Sequence, residues 1–303
     1  MSPESERACT CCGQRLELRH PAVLDPETRE RFRILGCPRC GSGRTFPVPL
    51  ELGPYYAGSY YGARHGPTGW LCDRRRMSRL KRVVPRPGRL LDFGCGPGSF
   101  LAAAQRAGWT GIGVDVAPAT ARASGLDVRA SLDQVGAEAA FDAITAWHSI
   151  EHLAQPAAVL EGLRDRLAAH GTLLVAVPDA GSLQARLFGP RWVHLDVPRH
   201  LHHLTRPGLA RLLQASGLRP VRWWRHELEY DWMGWAQSAL NAATLQPNTF
   251  MKRLTGKRRR SGLLAAASDW LPGLAALALA APPCLLARAA GRGATLVVAA
   301  RCA

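Results

Sequence analysis

Arg89-Leu90-Leu91-Asp92-Phe93-Gly94-Cys95-Gly96-Pro97-Gly98-Ser99-Phe100 is the stretch that decides the fold of this chain. It follows a Pro/Gly break at Pro85, Pro87 and Gly88. Residues 89–93 read as a short buried strand, the three alternate glycines as a sharp turn, and Ser99 to Ala107 as a helix. Glycine lets backbone turn tightly and lets a ligand approach with no Cβ in the way. The helix start behind the turn offers free N–H groups and partial positive charge. Asp115 closes a second apolar run, Thr110 to Val114, at the distance and strand end where an acidic residue receives the two hydroxyls of a ribose.

Outward from the turn, strand and helix patterns alternate. Strands are predicted over 89–93, 110–115, 126–130, 141–147 and 171–177, with a sixth over 218–229 and a seventh over 293–301. Helices are predicted over 70–83 and 99–107, after Pro118, from Pro156 to Ala169, and over 205–217. Such alternation predicts an α/β fold, a doubly wound, mostly parallel seven-stranded sheet whose ligands bind at the C-terminal strand ends. The domain reading is a ribbon-like module over 1–50, a linker and lid helix over 51–88, a core over 89–231 and 293–303, and an apolar, basic helical insertion over 232–292.

A dinucleotide turn is Gly-x-Gly-x-x-Gly and faces pyrophosphate. This turn is Gly-x-Gly-x-Gly behind Asp92, whose carboxylate would repel phosphate and suits a cation carrying an ammonium group. A nicotinamide site and a glycine turn without a ligand are the alternatives. The order Leu-Asp-x-Gly-x-Gly-x-Gly, then Asp115, resembles class I S-adenosylmethionine (SAM)-dependent methyltransferases, from about Arg89 to Pro220. Trp147-His148-Ser149-Ile150-Glu151-His152-Leu153 with Pro156, and Arg191 to Leu201, resemble a broad group of these that includes quinone-biosynthesis enzymes. Where the quinone enzymes often carry Glu before Ser149, His148 stands here. Paired cysteine knuckles and a Tyr-Tyr segment recur together in bacterial members, often in sugar or polysaccharide pathways.

The resemblance implies SAM as cofactor. Its expected contacts are Asp92, Phe93, Gly94, Cys95, Gly96 and Gly98 around the methionine end and Asp115 with Val116 at the ribose. Ser131 with Leu132 at the adenine, and Trp147 at the end of the fourth strand, complete the set. His148 is the first candidate for a base at the transfer centre, and Glu151 with His152 is read as holding the next helix start. Among the clustered His194, His200, His202 and His203, with Asp196, His200 is the second candidate base; a metal site or loop packing are other readings of that cluster.

Cys9-x-x-Cys12-Gly13 and Cys37-x-x-Cys40-Gly41 form the second signal. Two such knuckles bring four thiolates into the tetrahedron that structural Zn2+ prefers and leave no open position for catalysis. Cys11 is a spare that could replace Cys9 or Cys12. With nine cysteines and a polar, mixed-charge start, no signal peptide is expected and a reducing cytoplasm is.

The net charge of +16 is uneven. Residues 1–90 carry +9, 91–190 carry −4 and 191–303 carry +11. An acidic centre suits a sulfonium cation. Basic flanks suggest an anionic partner, although Arg dominance, with only three Lys, also reflects genome composition. The arginines of 70–83 read as a solvated face. Tyr55-Tyr56 with Tyr60-Tyr61 reads as a packed loop or a lid over the cofactor.

From Trp270 to Ala287 no charge occurs, but Pro272, Gly273, Pro282 and Pro283 are expected to break the stretch. It reads as packed helices over the active site, or as an interfacial surface through 261–290 that makes peripheral membrane contact at the inner face. The expected function is methyl transfer to a small-molecule, glycan or lipid-linked substrate. RNA methylation is the rival, since one rRNA methyltransferase family also pairs a zinc module with this core. Against it, aromatics are not interleaved with the arginine runs, and no Asn/Asp-Pro-Pro-Tyr motif follows the fourth strand. A zinc- and SAM-fold scaffold without turnover is the third reading.

Overall fold

The structure is a computed structural model that describes residues 7–56, 69–136, 140–243, 248–254 and 263–303, the side chains of 263–269 excepted. Tyr60, Tyr61 and the Lys257–Arg260 run lie outside the described residues. In chain order the elements are β1 (Glu17–Leu24), β2 (Arg31–Gly36), β3 (Gly43–Phe46), α1 (Gly69–Val83), β4 (Arg89–Phe93), α2 (Ser99–Arg106), β5 (Thr110–Val114) and α3 (Ala119–Ala123). Next come β6 (Val128–Arg129), β7 (Phe141–Trp147), α4 (Pro156–Arg164), β8 (Leu167–Pro178), α5 (Leu183–Phe188), β9 (His202–His203) and α6 (Arg206–Ala215). The chain ends with β10 (Leu218–Trp224), α7 (Leu228–Ala243), α8 (Thr249–Leu254), α9 (Leu263–Ala289) and β11 (Thr295–Cys302).

Contacts divide the chain into two units. One holds Met1–Gly66, Pro178–Leu209 and Arg225–Leu296; the other holds Pro67–Val177, Ala210–Trp224 and Val297–Ala303. The segment after β8, read from sequence as core, therefore falls in the unit that carries the cysteine knuckles.

The second unit is the predicted sheet. Its strand order is β10-β11-β8-β7-β4-β5-β6. Pairs β4–β5, β4–β7, β5–β6 and β7–β8 are parallel, and β10–β11 is antiparallel. β4 and β7 are buried on both faces because helices cover both faces of such a sheet. Leu80 of α1, Leu90, Phe100 and Leu101 of α2, Trp109, Leu174 and Val297 share one core.

Several boundaries differ from the sequence reading. β6 is only two residues long. α4 ends at Arg164 and β8 begins at Leu167, with an irregular register opposite Phe141. Gly171 permits that irregularity, since a Cβ there would meet the Phe141 carbonyl at 2.7 Å. β10 stops at Trp224, and Glu229 belongs to α7, where Asp231 accepts the Ala294 N–H at 3.1 Å. Arg76 and Arg79 of α1 are buried, so the helix is not the uniformly solvated face expected. Arg76 lies over the Trp147 ring at 5.2 Å and 3.9 Å from Asp73.

The first unit holds a four-stranded sheet of order β1-β2-β3-β9. The ribbon is thus not complete within residues 1–50: Gly43 and Arg44 pair with His203 and His202. Val23, Phe32 and Ile34 of the ribbon pack with Trp192, Leu195 and Val197. A second small core joins Trp235 and Ala236 of α7 to Ala280, Cys284 and Ala287 of α9. The prolines do not break α9; it runs through Pro272, Pro282 and Pro283 as one helix. Each proline removes a single N–H donor, and packing of the helix along one face against α7 outweighs those losses.

Candidate cofactor and metal sites

At the C-terminal end of β4 the glycine turn has φ of 70°, 55° and 82° at Gly94, Gly96 and Gly98, all left-handed. The glycines serve different needs. A Cβ on Gly98 would collide with Leu126 Cδ1 and sit at a left-handed φ of 82°, so backbone and packing together account for glycine there. A Cβ on Gly96 would meet nothing within 4 Å among the described residues. No described neighbour explains the lack of a side chain at Gly96, which opens on the space a ligand would fill. Asp115, just past β5, binds the turn: its Oδ2 accepts the Gly96 N–H at 2.7 Å and its Oδ1 the Ala117 N–H at 2.9 Å. Each carboxylate oxygen keeps a further lone pair for a ligand hydroxyl.

Asp92 lies beneath the turn and is 2% exposed. Its Oδ1 accepts the Thr145 hydroxyl at 2.7 Å. Burial pushes its carboxyl up to about 7, against the Thr145 bond and the field of Arg76. Sequence reasoning missed Arg76 and Thr145, which arrive from α1 and β7. The Trp147 indole N–H is buried without a hydrogen-bond partner among the described residues, while its ring meets Phe100 edge-on at 5.5 Å. Cys95 is buried, and burial pushes its thiol up beyond the usual range. Phe93 is half-buried at the strand end.

Past β7, His148 takes φ of +52°, rare for a residue with a side chain. Such strain concentrates where function holds it in place. Its Nδ1 lies 3.6 Å from Glu151 Oε1, and Glu151 is 1% exposed. The pairing gives Glu151 a partner role that its i,i+3 spacing could have signalled. Ser149 fixes this corner by donating to the Phe93 carbonyl at 3.0 Å. Ser131 and Leu132 are half-buried past β6, where a single helical turn spans Leu132–Gln134. Val116 is 84% exposed past β5. The second unit thus gathers Asp92, the glycines, Asp115, Val116, Ser131, Leu132, Trp147 and His148 at the C-terminal ends of four neighbouring parallel strands.

In the first unit Cys9, Cys12, Cys37 and Cys40 place their sulfurs all within 4.8 Å of one another. The Cys9–Cys40 and Cys12–Cys37 sulfurs are 3.6 and 3.5 Å apart. Each knuckle folds back on itself, with Gly13 N–H donating to the Cys9 carbonyl and Gly41 N–H to that of Cys37. Cys11 is not one of the four. It is buried beside them, and its thiol hydrogen-bonds to Cys9 and Cys40, lowering both. Soft thiolates in this closed set fit Zn2+ and leave no side open.

The histidine cluster is largely framework. His202 and His203 form β9, and His203 Nε2 meets the Thr45 hydroxyl at 2.9 Å. Burial holds His203 well below the usual histidine range, so it is neutral. His200 places Nδ1 at 2.9 Å from the His194 carbonyl and Nε2 at 4.0 Å from Asp196. Arg199, unmarked in the sequence, is buried and donates to Asp25 at 2.7 Å and Asp196 at 2.8 Å. This unit also holds a half-open cleft of about 460 Å³ lined in part by Arg19, His20, Arg186, Arg206, Arg225 and Asp179. Asp179 is buried and lies 3.5 Å from Arg225.

Parallel strands, a left-handed glycine turn and a carboxylate ending the second strand define a class I SAM-dependent methyltransferase. The chain belongs to the methyltransferase-domain family, which matches residues 70–222, about half its length. It is 31% identical over 160 residues to a ubiquinone biosynthesis O-methyltransferase of Dinoroseobacter shibae, covering 47% of this chain and 64% of that one. A second such enzyme, from Cereibacter sphaeroides strain KD131, is 30% identical over 187 residues, covering 56% of this chain and 74% of its own. The match to the first relative thus spans just under two thirds of its length. A Galdieria sulphuraria structure assigned as a sarcosine dimethylglycine methyltransferase superposes with a TM-score of 0.50 at 16% identity, over 77% of this chain and 85% of that one, and shares the fold.

Proposed function

We propose that this protein transfers the methyl group of SAM to a hydroxyl of a small molecule that carries negative charge. The observation that carries the reading is the turn at Gly96, left-handed, open toward solvent and held by Asp115 at the head of α2. SAM supplies a methyl group already activated by its sulfonium charge, so orientation provides much of the catalysis. In this reading Asp92 offers its carboxylate to the positive end of the cofactor. Asp115 and Val116 meet the ribose, and Ser131 with Leu132 flanks the adenine. His148 accepts the acceptor's proton, and Glu151, 3.6 Å from its Nδ1, steadies the ring. His200, whose ring nitrogens both face protein oxygens, is the weaker candidate.

The O-methylation named for the relatives supports a hydroxyl acceptor. The basic flanks of the sequence, +9 over residues 1–90 and +11 over 191–303, support a negative charge on it. Acceptors joined to a sugar or a lipid carrier fall within that class. We also infer one structural Zn2+ on Cys9, Cys12, Cys37 and Cys40, and a reducing cytoplasm, supported by nine cysteines all free. No observation favours RNA.

The test is incubation with SAM bearing a radioactive methyl group and a fractionated bacterial extract. Label is expected in the anionic small-molecule or lipid-linked fraction, and label in RNA would overturn the reading. His148→Gln should lower kcat while SAM affinity stays within about twofold. An unchanged kcat removes His148 as the base.

A further inference from the structure

We infer that α9 docks flat on an anionic lipid surface. This helix lies outside the residues that match the family and is independent of the methyl-transfer reading. Its polarity is inverted for a helix in water. The residues turned inward are small: Gly273 against Phe250, and Ala280, Cys284 and Ala287 against α7. The residues turned outward are large. Leu271, Leu274, Leu279, Leu285 and Leu286 are 54–76% exposed. With Ala275, Ala278 and Pro282 they form one continuous stripe at helical spacing, in which every exposed position from 271 to 286 is apolar. Single exposed leucines are ordinary, but a stripe of this length marks an interaction face.

Two features select a bilayer surface and an in-plane orientation. The stretch Trp270–Ala289 is long and apolar enough to cross a membrane, yet its inner face is occupied by α7 and its outer face is open. Pro282 and Pro283 deprive the Ala278 and Leu279 carbonyls of their helical donors on that outer face. Hydrocarbon would strand these carbonyls, whereas the headgroup region hydrates them. The rim is also right for anionic headgroups. Arg288 and Arg292 follow the stripe and are exposed. Asp269 is the only acid of α9. Trp232 and Trp270, 37% and 36% exposed, are the residue type that settles at a membrane interface.

The test is flotation of the full chain with phosphatidylcholine vesicles, with and without phosphatidylglycerol. The wild type should float with the anionic vesicles and release at high salt. Leu274→Glu with Leu279→Glu should abolish flotation at unchanged secondary structure and thermal midpoint. Arg288→Glu with Arg292→Glu should lower binding to anionic vesicles roughly tenfold. Absence of wild-type flotation, or flotation unaffected by the leucine substitutions, overturns the inference. So does a vesicle-free dimer that Leu279→Glu dissolves, which would give the stripe to a second copy of the chain.

Discussion

Asp115 Oδ2 accepts the backbone N–H of Gly96 at 2.7 Å. The carboxylate assigned to the ribose therefore also holds the shape of the turn that receives the rest of the cofactor. Asp115→Ala should remove both and weaken SAM binding by about 1–3 kcal/mol, the range for orphaned hydrogen-bonding groups. Asp115→Glu, which keeps charge but shifts its position, should recover little of this. Fluorescence titration with SAM measures both variants, and affinity unchanged in Asp115→Ala would remove the residue from the site.

Two alanine substitutions separate packing from binding in the turn. Gly98→Ala drives a Cβ into Leu126 at left-handed φ and should lower stability by about 1–3 kcal/mol. Gly96→Ala meets no atom of the described residues, so its stability loss should stay near 1 kcal/mol while SAM binding falls much further. Urea unfolding with and without SAM reads both quantities. Equal stability losses with binding intact in Gly96→Ala would contradict the open face.

Asp92 carries a pH signature. Burial raises its carboxyl from the usual range to about 7, so the folded protein holds a proton the unfolded chain has lost. Its contribution therefore makes stability fall as pH rises from about 4 to about 7, and constant above. Asp231, also raised to about 7 by burial, adds the same sign. Thermal melting of Asp92→Asn should accordingly decline less between pH 5 and pH 7 (approximate bounds of the same window) than wild type. Because a cationic ligand favours the ionised carboxylate, SAM affinity should rise through the same window in wild type and stay flat in Asp92→Asn. Equal slopes would place the cofactor's positive end elsewhere.

The cysteine cluster makes a discriminating prediction. Cys12→Ser should abolish zinc and unfold the ribbon, whereas Cys11→Ser should retain one zinc per chain by elemental analysis. Zinc lost in Cys11→Ser and kept in Cys12→Ser would exchange their roles.

What could be read in the sequence was local. The glycine turn, Asp115 and both Cys-x-x-Cys knuckles each carry their chemistry within a few residues. Missed features depend on distant partners. Arg199 meets Asp25 across 174 positions, and removing the arginine would leave carboxylates facing one another in a buried site. His202 and His203 suggested a substrate-facing cluster, but β3 takes them as a strand. Arg76 looked solvated because its helix is rich in arginine; only the packed sheet shows it over Trp147. The prolines of α9 promised breaks that a helix packed along one face absorbs.

Isothermal titration of the purified chain with SAM tests the central claim most directly. A single saturable site is predicted, with binding lost in Gly96→Val although the variant remains folded. A wild-type chain that binds no SAM, or a Gly96→Val variant that binds it as wild type does, would contradict the account.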